Sequence, residues 1–410
     1  MDCDYDVVII GAGCVGAFAA FYASKYDLRV CVLESRAHPG LVTTNANCGI
    51  VHAGHNTKHN TLKSQLIDRG NALIAELAPL LNFSFKRCGE LVVAASPDEY
   101  QQLDEMYAYS KSINVPVEYW DAEQLRLHEP NLSHSIQRAI LTPTAGIVNP
   151  HELTVSAVQT AVKNGARLFC DQKVTEITRN GSVFTVKTEK KVFKTKTVVN
   201  CAGLYADSIA RMDDPATKIN IRPRKGECYI LNEVLVNRLI FPIPFGTSKG
   251  MLVIPTVDGK TLVGPTADFV DSKEDVCTSE DGKKRIFALA EKMVPKVNMS
   301  MIESEFAGCR AVDASEDFVM NQKDGFINFA GTQSPGLTSS PAIGQVLVEE
   351  ILKNFANAKL KEKWEYAPLV KTQKADCTQK LEIVEEITNK GDLDDQTHKT
   401  TYSWVRGYEQ

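Results

Sequence analysis

The chain has 410 residues, of which 43% are hydrophobic, so it is long enough for roughly two or three globular units. Its formal net charge of −5 gives no general basic field, and we therefore expect no nucleic-acid partner. No apolar run approaches the ~20 residues of a membrane span, so we expect no integral membrane segment.

The first predicted element is a buried strand that runs into a glycine-rich turn, Asp6-Val-Val-Ile-Ile-Gly11-Ala-Gly13-Cys-Val-Gly16. In a G-x-G-x-x-G turn, the first glycine permits the turn, the second lets the backbone approach a pyrophosphate, and the third lets the helix pack on the strand. The helix N-terminus offers N–H groups and positive dipole to phosphates. A second strand ends on Glu34, at the position that binds a ribose hydroxyl. The start of the chain therefore predicts a dinucleotide site, with FAD and NAD equally compatible.

Helices and strands alternate along the rest of the chain. The segment from residue 40 to residue 58 is too rich in turn formers for a regular element. Helices are predicted over residues 62–81, 98–114, 121–127, 150–163, 279–293 and 341–353. Strands are predicted over residues 28–33, 88–95, 167–170, 174–179, 183–188, 197–203, 251–255, 261–264 and 326–330, with an antiparallel pattern throughout residues 226–265.

The α/β segments are split by β-rich insertions, which predicts a mixed α/β fold with a discontinuous nucleotide domain. We expect a Rossmann-like FAD-binding domain from residues 1–85, 146–222 and 305–360. An inserted antiparallel-sheet substrate or cap domain takes residues 86–145 and 223–304, and residues 361–410 form a polar C-terminal extension. A glycine-containing loop immediately after a strand, from Gly331 to Thr338, favours FAD, because FAD spans a whole domain.

Three further motifs carry a family resemblance. They are Asn45-Ala-Asn-Cys-Gly-Ile-Val-His-Ala-Gly54, Phe306-Ala-Gly-Cys-Arg-Ala-Val-Asp313 and Gly331-Thr-Gln-Ser-Pro-Gly-Leu-Thr-Ser-Ser-Pro341. With the N-terminal turn, they resemble the FAD-dependent glycerol-3-phosphate oxidase and dehydrogenase family of the D-amino-acid-oxidase-like group, from about residue 4 to about residue 356. The resemblance implies oxidation of sn-glycerol 3-phosphate to dihydroxyacetone phosphate. Electrons would pass to oxygen, giving hydrogen peroxide, or to another soluble acceptor.

The resemblance assigns His52 as the catalytic base, since an imidazole near its usual pKa can take a hydroxyl proton while hydride leaves to the flavin. From the residues alone, a structural loop histidine, for example one bonded to a backbone carbonyl, is the favoured interpretation, and only the resemblance favours the base. His55 and His59 fall outside the shared motif and are predicted at the surface. The implied substrate contacts are Cys48, His52, Lys249, Arg310 and Ser334.

Each of the other substrate contacts has a structural alternative. Arg310 suits an anion, or an internal salt bridge with Asp313 or Glu305. Lys249 would otherwise be a solvated loop lysine, and Ser334 a turn-forming hydroxyl. The resemblance also implies FAD contacts at Gly11, Gly13, Gly16, Glu34, Thr43, Thr44, Asn47, Val174, Ala202, Gly203, Gly331, Thr332, Gln333 and Thr338.

The cysteines mark one departure from the family and one expected absence. Cys48 stands where the oxidases often carry serine, and a thiol is a weaker hydrogen-bond partner. Cys48 could also attach the flavin covalently or take part in redox chemistry, but a plain small buried residue is the favoured interpretation. Longer relatives append an iron–sulfur module, but only Cys377 remains after Cys309, so we expect no cluster or other metal. The 11 cysteines lack C-x-x-C spacing, and the first strand starts too early for a targeting segment, which predicts reduced thiols in the cytoplasm.

Two rival functions remain open at this stage. A 2-hydroxy-acid oxidase, for example one acting on L-2-hydroxyglutarate, shares the histidine loop and would use the same arginine for a carboxylate. Alternatively, the chain is a flavin-bearing subunit with little activity of its own.

Overall fold

The computed structural model describes residues 3–55, 57–244, 250–372, 380–382 and 401–403. The predictions for Lys249 and Cys377 concern positions outside these residues. Within them, the secondary structure builds two large sheets with helices packed on them.

The helices begin and end close to where capping residues and apolar periodicity predict them. In chain order they are α1 (Cys14–Ala23), α2 (Leu62–Leu81), α3 (Pro97–Ser112), α4 (Ala122–His128), α5 (Pro150–Lys163), α6 (Ala206–Asp213), α7 (Glu280–Met293) and α8 (Gly336–Lys353). The prediction for α2 is confirmed at both ends. The helix α6 was missed, because its eight residues give only about two turns of periodicity.

The strands of the described residues include several that were not predicted, although every strand predicted from the sequence overlaps one of them. They are β1 (Tyr5–Ile10), β2 (Val30–Leu33), β3 (Ile50–Val51), β4 (Phe85–Lys86), β5 (Glu90–Ala94), β6 (Glu118–Asp121), β7 (Arg138–Thr142), β8 (Gly146–Val148), β9 (Arg167–Phe169), β10 (Val174–Asn180), β11 (Val183–Thr188), β12 (Val192–Asn200), β13 (Ile221–Leu231), β14 (Leu239–Pro242), β15 (Leu252–Pro255), β16 (Thr261–Gly264), β17 (Asp268–Phe269), β18 (Ile302–Asp313), β19 (Val319–Lys323), β20 (Phe326–Ala330), β21 (Lys371–Thr372), β22 (Lys380–Glu382) and β23 (Thr401–Ser403).

The first sheet is built around β1, which lies between β2 and β12 and runs parallel to both. β9 extends the sheet beyond β2, and β20 runs parallel to the end of β12. The hairpin β10–β11 pairs antiparallel with the start of β12. The carboxyl ends of β1, β2, β12 and β20 therefore meet at one edge, where ligands bind in open α/β sheets.

The second sheet follows the order β17-β13-β16-β15-β14-β5-β7-β6, with β18 along the other side of β13. Most neighbours are antiparallel, as predicted, but β14 runs parallel to β5. The antiparallel pattern predicted for residues 226–265 is confirmed at the β13–β16, β14–β15 and β15–β16 pairs. The parallel pair was not predicted, because β14 and β5 lie far apart in the chain and no hairpin sets their direction. The division of the chain into domains at the residues given above stays a prediction.

The predicted start of the closing helix at Pro341 is wrong, since α8 begins at Gly336 and Pro341 lies inside it. A proline within a helix removes the N–H that would bond to the carbonyl four residues earlier. Here that carbonyl belongs to Leu337, and it accepts a hydrogen bond of 2.8 Å from the Ser340 hydroxyl. A local side chain thus satisfies the carbonyl and lets the helix continue through the proline.

The predicted surface position of His55 is also wrong, whereas His59 is exposed as predicted. The His55 side chain is 1% exposed, and its Nε2 lies 3.1 Å from Oε1 of Glu90, whose side chain is fully buried. Glu90 is the first residue of β5. A buried imidazole is tolerated when a carboxylate from another element meets it, and the loop sequence around His55 does not contain that partner.

We expect Glu90→Ala to destabilise the protein by about 1–3 kcal/mol, because it leaves Nε2 of the buried imidazole without the carboxylate that it meets. Glu90→Gln keeps the side-chain volume and an oxygen acceptor, so its loss should be smaller. Thermal unfolding of both variants, saturated with the cofactor, checks the difference. Equal midpoints for the two variants and the parent chain would contradict this role for the pair.

Candidate active site

One cavity of about 1400 Å³ lies between the carboxyl edge of the first sheet and the face of the second sheet. Of the predicted site residues that the structure describes, all line it except Gly16 and Gly331. Gly16 packs beneath the turn, and Lys249 lies outside the described residues. Gly331 shapes the turn after β20, with a φ of +68°, and an added Cβ there would lie 2.6 Å from the Asp317 carbonyl oxygen. The cavity brings together residues from four widely separated chain segments.

The glycine turn forms one wall of the cavity. Gly11 has a φ of +100°, and a Cβ there would lie 2.6 Å from the carbonyl oxygen of Cys201. Gly13 is the N-terminal cap of α1 and lines the cavity, so the helix presents its positive end to the space. Glu34 accepts the N–H of Ala12 at 2.8 Å and that of Arg36 at 2.9 Å. Oε1 also accepts the Ser35 hydroxyl at 3.1 Å, so the lone pair that could bind a ribose hydroxyl lies on Oε2, which accepts the Ala12 N–H.

Gly16 has the tightest surroundings in the turn. An added Cβ would lie 1.9 Å from the Gly11 carbonyl oxygen. Because that oxygen belongs to the backbone of the turn, it cannot move aside as the end of a flexible side chain could. We therefore expect Gly16→Ala to displace the turn and to abolish dinucleotide binding, seen as loss of the bound chromophore after gel filtration. The control is Ala20→Gly in the same helix, which should lower the free energy of unfolding by about 1 kcal/mol without crowding the turn. This variant should retain the chromophore. A Gly16→Ala protein that keeps its chromophore would contradict this packing role.

The histidine loop and the loop after β20 meet at the second end of the site. Nε2 of His52 lies 3.3 Å from Oγ of Ser334, and the His52 backbone N–H donates to Oγ1 of Thr338 at 3.1 Å. Asn71 of α2 donates to the His52 carbonyl at 2.9 Å, and the imidazole packs edge-on against Phe241. His52 is buried, so backbone and ring are both held in place while the side chain lines the cavity.

Polar side chains in residues 43–47 hold the loop before His52. Thr44 Oγ1 accepts the N–H of Cys14 at 3.1 Å, which ties the loop to the first turn of α1. Thr43 donates to the carbonyl of Cys309 at 2.9 Å. Asn47 donates to the carbonyl of Thr44 and accepts the N–H of Gly49. These bonds join the glycine turn, the histidine loop and β18 into one wall.

Arg310 projects from β18 into the cavity. Its guanidinium donates to the carbonyl of Thr266 at 3.1 Å, and burial lowers its pKa. Asp313 and Glu305 bind other groups, Ser315 and Lys283 among them. Within the described residues no carboxylate forms an ion pair with Arg310, so the internal salt bridge that sequence left open is not formed there.

Several cavity residues were not predicted. The strand β13 contributes three of them at alternating positions, Arg224, Gly226 and Cys228. The paired strand β18 contributes Gly308, two residues before the predicted Arg310. Lys63, at the start of α2, also lines the cavity, and burial lowers its pKa to about 8. The alternation at 224, 226 and 228 is visible in the sequence, but the face that it turns toward the site depends on the pairing with β18.

These residues fit a flavin dinucleotide. The cavity exceeds the ~300–1,000 Å³ of ordinary small-molecule pockets. It has a glycine turn that suits a pyrophosphate and a carboxylate that suits a ribose hydroxyl on one wall, and a histidine, a serine and an arginine also line the same space. Residues 6–350 match the model of the FAD-dependent oxidoreductase family.

The chain belongs to the FAD-dependent oxidoreductase family. It is similar to a glycerol 3-phosphate dehydrogenase of Caloramator mitchellensis, with 39% identity over 89% of this chain and 77% of the relative. It is 31% identical to a glycerol 3-phosphate oxidase of Mycoplasma genitalium, over 88% of this chain and 97% of that protein.

A solved structure with FAD bound has the same fold. The dithionite-reduced L-alpha-glycerophosphate oxidase of Mycoplasma pneumoniae superposes with a TM-score of 0.84 and 26% identity, over 89% of this chain and 99% of the other. The predicted FAD cofactor and mixed α/β fold of this oxidoreductase are therefore confirmed. In the described residues, none of its helices is long and apolar enough to cross a membrane.

Proposed function

We propose that this oxidoreductase oxidises sn-glycerol 3-phosphate to dihydroxyacetone phosphate. The observation that carries the proposal is the position of Arg310, which lines the same cavity as His52 and has no carboxylate partner in the described residues. A buried guanidinium of this kind suits a doubly charged phosphate, which it can bind with two parallel hydrogen bonds. The glycerol 3-phosphate enzymes at 39% and 31% identity support the choice of substrate.

His52 is the proposed base. Its imidazole accepts the proton of the substrate's secondary hydroxyl, and Ser334, 3.3 Å from Nε2, orients that hydroxyl or the ring. Thr338 and Asn71 bind the His52 backbone, which keeps the imidazole in position through the proton transfer. When bound, FAD supplies the hydride acceptor, and its pyrophosphate and ribose are held by the Gly11–Gly16 turn and Glu34.

The remaining contacts complete the proposed site. Lys249 is proposed as a second phosphate contact, and Cys48 as a residue that lines the substrate end. Thr43, Thr44, Asn47, Val174, Ala202, Gly203, Thr332, Gln333 and Thr338 line the cavity and are proposed as flavin contacts. Gly331 acts through the turn that presents its neighbours.

We propose oxygen as the electron acceptor, with a soluble acceptor as the alternative. The test is to add sn-glycerol 3-phosphate to the aerated holoenzyme and to measure oxygen uptake, hydrogen peroxide and dihydroxyacetone phosphate. Equal amounts of peroxide and ketone support the proposal. Ketone without peroxide, formed only with an added artificial acceptor, would overturn the oxygen assignment. We also propose a reducing, cytoplasmic location, because no disulfide joins the cysteines in the described residues.

A further inference from the structure

Two thiols face each other at the substrate end of the cavity. Sγ of Cys48 lies 3.8 Å from Sγ of Cys228, and both residues line the cavity wall. Cys48 belongs to the histidine loop and is partly exposed, whereas Cys228 is a buried residue of β13. A disulfide requires about 2.05 Å between the sulfurs, so a shift of under about 2 Å would join them.

The packing around the pair brings the loop close to the second sheet. A Cβ at Gly308 of β18 would lie 2.3 Å from the Ala46 carbonyl, so only a glycine lets the loop rest on this strand. A Cβ at Gly264 would lie 3.1 Å from Sγ of Cys228, so the glycine at this position leaves room for that sulfur. The two thiols therefore lie in a tight contact between two chain segments that glycines allow to approach.

A cation lies beside the pair. Both thiols are close enough to Arg310 to act on the pKa of its guanidinium. A Cβ at Gly226 would lie 2.7 Å from Nη2 of Arg310, so the guanidinium packs on β13 two residues before Cys228. A neighbouring cation favours the thiolate, which is the form that reacts with peroxides.

We infer that Cys48 and Cys228 form a peroxide-sensitive pair whose disulfide reversibly inactivates the enzyme. The Cys48 thiolate attacks one oxygen of hydrogen peroxide, so that an S–O bond forms and the O–O bond breaks, and the hydroxide that leaves takes up the one proton released by the Cys48 thiol and becomes water. Cys228 then attacks the Cys48 sulfur, an S–S bond forms, the S–O bond breaks, and a second water leaves with the Cys228 proton. Two thiols are oxidised by two electrons, and one peroxide is reduced to two waters.

The disulfide would slow the proposed reaction by displacing the residues that position the substrate. It pulls the loop that carries Cys48 toward β13, and the same loop continues to His52 while β13 supports Arg310. A displacement of about 1 Å in groups that position a substrate costs on the order of 10²-fold in rate. We therefore expect a fall of about that size in kcat/KM, which dithiothreitol restores.

The test treats the holoenzyme with hydrogen peroxide and maps its cysteine peptides by mass spectrometry. The expected result is a Cys48–Cys228 cross-linked peptide in the parent chain, and a dimedone adduct on Cys48 without a cross-link in Cys228→Ala. Cys277→Ser, which removes an exposed thiol outside the cavity, should leave the cross-link and the reversible inactivation unchanged. Cys228→Ser replaces Cys228→Ala if the latter loses its flavin spectrum.

A parent chain that forms no cross-link, or one whose activity does not change when the cross-link is complete, would overturn the inference. So would reversible inactivation of equal size in Cys228→Ala. The size of the activity loss rests on the proposed function, but the peptide map needs no substrate. A chain that forms the cross-link and never oxidises glycerol 3-phosphate would therefore count against the proposed function alone.

Discussion

Replacing His52 with alanine should lower kcat by about 10²–10⁴-fold, the range expected for a lost general base. The imidazole is buried, its Nε2 lies 3.3 Å from the Ser334 hydroxyl, and its backbone is bound by Thr338 and Asn71. The hydrogen bonds that hold the glycine turn and Glu34 in the described residues join Ala12 and Arg36 to Glu34 and Cys14 to Thr44. FAD should therefore remain bound, so that the loss appears in turnover and not in flavin content.

The matched control for this variant is His59→Ala. His59 lies a few residues further along the same chain segment, but it is exposed and packs against Tyr109. We expect its activity and flavin content to equal those of the parent chain. The measurement is steady-state turnover together with the flavin absorption spectrum of each variant. Full activity in His52→Ala would remove His52 from the mechanism.

Replacing Arg310 with leucine should reduce kcat/KM by roughly 10²-fold, equivalent to about 3 kcal/mol, with most of the effect in KM. The change removes the positive charge that no described carboxylate neutralises, while the leucine keeps part of the packing on Gly226. Arg310→Lys keeps the charge but loses the planar fork that binds two phosphate oxygens, so we expect an intermediate loss.

The comparison of Arg310→Leu and Arg310→Lys separates charge from shape. Inorganic phosphate should inhibit the parent enzyme competitively and should inhibit Arg310→Leu much less. Arg285→Leu removes a surface arginine that pairs with Asp268 and should change neither KM nor phosphate inhibition. If Arg310→Leu binds substrate and phosphate as well as the parent does, Arg310 does not hold the phosphate.

Local signals in the sequence predicted much of the fold. The turn from Gly11 to Gly16 and the helix α2 are specified by residues within the segment itself, so spacing and capping were enough to place them. The start of α8 was wrong because the Ser340 bond that compensates for Pro341 is a detail of side-chain geometry. The parallel pairing of β14 with β5 was missed because nothing in either segment encodes it.

Residues of the candidate site were likewise predicted where they belong to a local motif and missed where they depend on contacts between distant segments. His52 and Ser334 could be named from their motifs, and the structure brings them together from loops 282 residues apart in sequence. The burial of His55 could not be predicted, because its partner Glu90 comes from another element. Arg224 and Cys228 were missed for a related reason, since only the pairing of β13 with β18 turns them toward the cavity.

The central claim is that this FAD-dependent oxidoreductase takes a phosphorylated polyol and not a 2-hydroxy acid. The most direct measurement is the absorption spectrum of the oxygen-free holoenzyme, recorded before and after it receives sn-glycerol 3-phosphate and, separately, L-2-hydroxyglutarate. We expect glycerol 3-phosphate to bleach the flavin absorption band by the time the first spectrum after manual mixing is recorded. The hydroxy acid should leave the band unchanged. Bleaching by L-2-hydroxyglutarate alone, or by neither compound, would contradict it.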